Sequence, residues 1–193
     1  MSLIPAFELG LLNAWIFILP LILGSIFGSK ILGKRRSEEG SGATKGKTVS
    51  MLYFSFVLLS YFYSVFLPLK LNTIWFVIGL LIYLPVILFL FIGLLNFATT
   101  PVDELVTKGV YGVSRNPSYV SDVLLMVSIG IAFLSWVFLL VAIVEFFLLR
   151  YYVMAVEESF LLEKYGKVYR DYINTTPRWI GIPKSEKKKE YLK

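Results

Sequence analysis

The sequence contains no cysteine and no histidine. Without thiols, disulfides, Fe–S clusters, thiolate nucleophiles and Cys-held zinc are excluded. Without imidazole, the chain lacks the commonest general base and metal ligand, which excludes a His-based triad, haem ligation by His and a His-metal site. Charge is also scarce: 17% of the 193 residues are charged and 57% are hydrophobic. Soluble domains carry about 25% charged and 45–50% apolar residues. The composition is that of a chain embedded in lipid.

The apolar residues fall in long blocks. Residues 10–29, 48–69 and 71–102 carry no charge, and 123–145 is interrupted only at its end by Glu145. About 20 apolar residues span a bilayer. Glu8 stands before the first block where a signal peptide would have basic residues, so that block reads as a retained span. Lys and Arg collect in the segment before residue 48, in the third loop (Lys108, Arg115) and in the tail beyond Leu161, whereas Lys70 stands alone in the second loop. Cytoplasmic loops collect basic residues. This predicts an outside N-terminus, a cytoplasmic C-terminus and a site facing the cytoplasm. An even number of crossings must then separate the third loop from the tail. Residues 118–134 are predicted to rise, turn near Ser135, and return as 136–160. The fold class is therefore all-α: five transmembrane helices with a C-terminal helical hairpin and a cytoplasmic amphipathic helix. The chain divides into a three-helix scaffold (1–97), a region of loop, hairpin and C-terminal helix (98–183) and a charged tail (184–193).

Several motifs invite other readings. Gly46-Lys47-Thr48 resembles the end of a phosphate-binding loop, but Ser41 stands where its first glycine belongs. Gly24 and Gly28 have the spacing of a close helix-packing motif, read here as intramolecular. Pro20 and Pro85 lie inside spans as tolerated kinks. Residues 33–47 read as a polar loop.

Charges within a membrane are costly and mark function by default. Here they are Asp122, Glu145, Arg150, Glu157 and Glu158. Arg150 and Glu157, seven apart, are expected on one helix face. Glu157 and Glu158, about 100° apart, are expected to face different surroundings, one a cavity and the other water or a basic partner. In the third loop, Lys108-Gly109 and Tyr111-Gly112 allow sharp turns, and Asn116-Pro117 opens a helix. Beyond the last span, Leu161, Leu162, Tyr165, Val168, Tyr169, Tyr172 and Ile173 fall on one helical face. Glu163, Lys164, Lys167, Arg170 and Asp171 fall on the other, as in a surface anchor or a lid.

The run L-V-T-K-G-V-Y-x-x-x-R-N-P-S-Y (105–119), followed by E-E-S-F-L-L-E-K-Y-G-K-x-Y-x-x-Y (157–172), resembles the isoprenylcysteine carboxyl methyltransferase family, which is related to membrane phospholipid methyltransferases. The resemblance covers roughly residues 96–177. It implies a membrane enzyme that uses S-adenosyl-L-methionine, releases S-adenosyl-L-homocysteine and methylates the C-terminal carboxylate of a prenylated cysteine. Carried onto this chain, it implies cofactor contacts at Asn96, Glu104, Leu105, Val106, Tyr111, Asn116, Pro117, Ser118, Tyr119 and Glu157. Catalytic roles fall to Arg150, Glu157 and Arg115, and no metal is implied. The family commonly has His where this chain has Asn116. The substrate-binding Arg of eukaryotic members falls at Val153, with Arg150 nearby. Lipid-linked substrates and membrane lipids are the expected partners, nucleic acid is not, and the oligomeric state is open. Phospholipid or small-amine methylation is the nearest alternative, with Glu158 or Asp122 as the base. A non-enzymatic transporter or assembly factor is the more distant one.

Overall fold

A computed structural model describes residues 10, 13–39 and 47–183. Among them the chain is helical, apart from one isolated bridge between Asn13 and Pro68. The α-helices are α1 (Trp15–Glu39), α2 (Lys47–Ser64), α3 (Ile74–Thr99), α4 (Pro117–Ala132), α5 (Trp136–Leu148), α6 (Met154–Tyr165) and α7 (Lys167–Thr175). A 3₁₀ turn, Gly109–Gly112, sits in the loop before α4, and a π turn, Leu149–Val153, joins α5 to α6.

Among the described residues, two continuous helical stretches are long and apolar enough to cross a membrane: Ile74–Thr99, with 26 residues, and Trp136–Tyr165, with 30. At 1.5 Å per residue they reach about 39 and 45 Å, beyond the roughly 30 Å of a hydrocarbon core. α4 has only 16 residues, about 24 Å. α3 shows lipid-facing character: Leu81, Leu84, Leu88 and Leu95 are exposed. α4 lies between its neighbours, with Leu125, Met126 and Ile129 buried.

Small residues set the spacing of these helices. A β-carbon on Gly79 of α3 would stand 2.7 Å from the Ser128 carbonyl of α4, and one on Gly93 would touch Val110 and Pro117. α3 and α4 therefore pack closely and antiparallel. Gly24 and Gly28 of α1 face Leu94 of α3, so the small-residue pair serves packing within the chain. Three residues after α4 reverse the chain, with Leu134 at φ +53°. Gly130 admits Leu139 of α5 at that reversal.

The starts of α1, α3 and α5 gather at one end. Phe17 packs edge-on against Phe76, Tyr83 and Phe133, and the Tyr83 hydroxyl donates to the Phe17 carbonyl at 2.8 Å. Trp15, Trp75 and Trp136 open these three helices, an aromatic belt of the kind that sits at a membrane interface. At the other end lie the close of α3, the loop 100–116, the start of α4 and α6–α7.

Three sequence expectations change. α1 continues to Glu39, where a polar loop was expected from residue 33; residues 40–46, with Gly46, and the tail 184–193 lie outside the described residues. The expected single amphipathic helix is two, because Gly166 adopts φ +52° between α6 and α7. That break resets the helical phase and leaves Val168 61% exposed, although the pattern put it on the apolar face. The π turn also separates Arg150 from Glu157. Its wider i→i+5 closure inserts an offset, so seven residues no longer make two turns, and the two side chains do not share a face.

Candidate functional site

The end opposite the tryptophans carries a polar cavity. The last turn of α3 brings Asn96 and Phe97 there, and Asn96 Oδ1 accepts from the Val110 amide at 3.2 Å. This bond pins the 3₁₀ turn, and Gly109 permits it: at φ +62° its α-carbon lies against Asn96, where a side chain would collide. The loop 104–106 and Tyr111 then form one wall. Arg115, Asn116, Pro117, Ser118 and Tyr119 form the floor where α4 begins. Glu157, Leu161 and Tyr165 of α6 and Tyr169 and Tyr172 of α7 form the opposite wall. The enclosed volume is about 100 Å³. Ligand sites for drug-sized molecules run from about 300 Å³, so this cavity encloses only part of a nucleoside-sized molecule.

The cavity has a polarity gradient. Glu104 and Glu157 are exposed at its mouth. Deeper in, Asn116 is 7% and Tyr169 1% exposed, and the Arg115 side chain 8%. Tyr172 donates to the Tyr111 carbonyl at 2.6 Å and so ties the two walls together. Burial raises the phenol pKa values of Tyr169 and Tyr172; Glu158 adds to the rise at Tyr169, and Tyr111 to that at Tyr172. Both therefore remain neutral hydrogen-bonding groups at physiological pH.

Arg115 is the deepest charge in this wall. Its Nη2 lies 3.3 Å from Glu158 Oε1. Among the described residues, its buried Nε and Nη1 have no hydrogen-bond partner. An orphaned buried guanidinium donor costs about 1–3 kcal/mol or more, so two such donors on a residue of the cavity lining mark a place where an anionic group would be stabilised. Glu158 is held again from outside, because Arg178 donates its Nε to Oε1 at 3.0 Å and its Nη2 to Oε2. Two arginines thus share one carboxylate, which leaves an excess of positive charge.

Ten of the residues expected at the site line this cavity: Glu104, Leu105, Val106, Tyr111, Arg115, Asn116, Pro117, Ser118, Tyr119 and Glu157. Asn96 does not line it; it braces the 3₁₀ turn, and its neighbour Phe97 reaches the cavity. Arg150 is also absent from the lining. It is exposed, with its guanidinium carbon 5.9 Å from the ring centre of Tyr151. Glu157 and Glu158 divide as expected, one to the cavity and the other to basic partners. Asp122 is half-buried in α4. Glu145 is buried within α5, at 1% exposure. Sequence reasoning missed Arg178, whose partner Glu158 lies 20 residues earlier, across the break at Gly166.

Among the described residues, two helices of membrane-crossing length and a polar cavity at one end of the bundle occur together. Residues 86–168 match the family model described as phospholipid methyltransferase. That segment, from mid-α3 through the cavity loop to the start of α7, is similar to this family, whose members are methyltransferases. The family implies S-adenosylmethionine as methyl donor. No curated protein and no solved structure matches the chain.

Proposed function

We propose that this cavity transfers a methyl group from S-adenosylmethionine to an acceptor anchored in the membrane by its lipid tail, and that the acceptor atom is a carboxylate oxygen, as in a C-terminal prenylated cysteine. The observation that carries the reading is Arg115, buried on the floor with two donors that have no hydrogen-bond partner among the described residues. The residues present fit the donor. Exposed Glu104 and Glu157 offer negative charge to a sulfonium or ammonium, and the rings of Phe97, Tyr111, Tyr165 and Tyr169 offer faces for an adenine or a cation.

When bound, the donor supplies a methyl carbon on a positively charged sulfur. The protein's work is then to position and to desolvate. A carboxylate is ionised at neutral pH and needs no base, which suits a chain without histidine. Arg115 attracts and orients that carboxylate through its charge and an unpartnered N–H donor, and the buried floor strips its water. In the same reading α1 to α5 all cross the bilayer, with α4 and α5 as a pair. Counting about 20 residues from Trp75 or Trp136 reaches residues 95 and 156, beside Asn96 and Glu157. The cavity thus lies at the level where hydrocarbon ends, open to a water-borne donor and to a lipid-borne acceptor. The basic residues around it, Lys108, Arg115 and Arg178, favour the cytoplasmic side.

A second reading is methylation of a phospholipid amine, favoured by the description of the matched family. A protonated amine must lose a proton, and Glu104 or Glu157 at the mouth would accept it. A radiolabelled methyl-transfer assay with a farnesylated cysteine analogue and with phosphatidylethanolamine vesicles separates the two. We expect label on the cysteine carboxylate, released by mild base. Label on lipid amine alone would overturn the first reading, and label on neither would overturn both.

A further inference from the structure

The chain after α7 turns back along the cavity floor. Four of its hydrogen bonds run to the segment that carries Arg115. The Arg115 amide donates to the Pro177 carbonyl at 3.0 Å, and the Gly181 amide to the Val113 carbonyl at 3.1 Å. The Arg178 carbonyl accepts from Asn116 Nδ2 at 3.2 Å and from Ser114 Oγ at 3.4 Å. Trp179 stacks on Phe146 of α5 with ring centres 4.8 Å apart, and packs on Leu149, Val153 and Met154. Residues 176–182 therefore tie the loop before α4 to the helix that carries Glu158. They lie beyond the family-matched residues 86–168.

One side chain of this strap reaches the array of charges. Without Arg178, both oxygens of Glu158 would be available to Arg115, and a bidentate pair would form. Arg178 takes Oε2 entirely and shares Oε1, so Arg115 keeps a single contact through Nη2. We infer that Arg178 is a positioning residue: it holds Glu158 away from full pairing with Arg115, so that the remaining Arg115 donors read a negatively charged group on the methyl acceptor. The inference rests on the methyl-transfer reading above. It adds that the acceptor's charge is recognised through Arg178, which does not touch the acceptor.

Equilibrium binding tests this without turnover. The full-length protein in detergent is titrated with N-acetyl-S-farnesylcysteine, with its uncharged primary amide, and separately with S-adenosylhomocysteine. Wild type should favour the free acid over the amide by tenfold or more. Arg178→Ala should bring the two within twofold while leaving S-adenosylhomocysteine affinity within twofold. Arg178→Lys, which keeps a charge but not the fork, should fall between. Trp179→Ala serves as the structural control: it loosens the strap but should retain the preference for the acid. If Arg178→Ala keeps the tenfold preference, or loses donor-product affinity in equal measure, the positioning role is refuted. If wild type binds acid and amide alike, or neither, the carboxylate reading of Arg115 fails and the inference with it. Loss of S-adenosylhomocysteine binding alone in wild type would instead refute the assigned donor.

Discussion

Exchanging Glu158 for glutamine removes one negative charge from between two arginines and preserves the size of the side chain. Arg115 Nη2 and Arg178 Nε lie 3.3 and 3.0 Å from Glu158 Oε1. At an effective dielectric of about 20, each contact is an attraction of about 5 kcal/mol before desolvation is counted. The Arg115 and Glu158 side chains are 8% and 11% exposed, so solvent screens them little; Arg178, at 27%, is screened more. Removing one partner of a buried pair costs about 3–5 kcal/mol because the other charge is left stranded. The glutamine oxygen retains one neutral hydrogen bond worth about 1 kcal/mol. The expected loss is therefore about 2–4 kcal/mol, which at about 2–4 °C per kcal/mol for a chain of this size is a fall in Tm of about 5–15 °C. Unfolding in dodecyl maltoside micelles, followed by tryptophan fluorescence, measures it. Ser159→Ala is the control, since Ser159 is exposed and its hydroxyl bonds only the Val156 carbonyl; it should shift Tm by less than about 2 °C. A Glu158→Gln protein that melts within 2 °C of wild type would refute the claim that this carboxylate organises the floor.

Further outcomes follow from other parts of the site. Gly109→Ala forces a β-carbon against Asn96 at φ +62° and should weaken S-adenosylhomocysteine binding by about tenfold, or about 1.4 kcal/mol, in calorimetric titration. Arg150→Ala should leave turnover within about twofold of wild type, because the side chain lies outside the cavity lining; a loss of a hundredfold would return it to the site. Burial raises the pKa of Tyr169 and Tyr172 in the fold. Unfolded tyrosine ionises near 10, so their contribution is complete below about pH 10 and is lost as pH rises above it. Melting midpoints at pH 8 and 11 should therefore differ less in a Tyr169→Phe, Tyr172→Phe double variant than in wild type.

Much of the helical framework was legible. The Asn116-Pro117 helix start and the break near Ser135 mark the start of α4 and the passage from α4 to α5 by turn chemistry visible in the residues themselves. The lining of the cavity was legible because the motif residues are close in sequence: the loop before α4 and the paired glutamates. What could not be read depends on contacts between distant segments. Nothing in Leu-Leu-Arg-Tyr-Tyr-Val announces a π turn, since all of its residues are compatible with an α-helix. The offset it introduces is why Arg150 was expected beside Glu157 and is not there. Arg178 lies beyond the last expected helix and before the charged tail, and only the return of residues 176–182 along the floor gives it a role. Asn96 was expected to touch the donor, but its side chain is committed to the backbone of Val110.

The π turn at Leu149–Val153 also sets the phase of everything after it. Were this stretch to wind as plain α-helix with all its residues in place, the rod from Trp136 onward would run without interruption, and everything downstream would swing by about 100°. Glu157 would leave the mouth and Glu158 would leave its two arginines in the same motion. A substitution that keeps the turn changes one contact, whereas one that straightened it would take the cavity apart while every individual helix stayed intact.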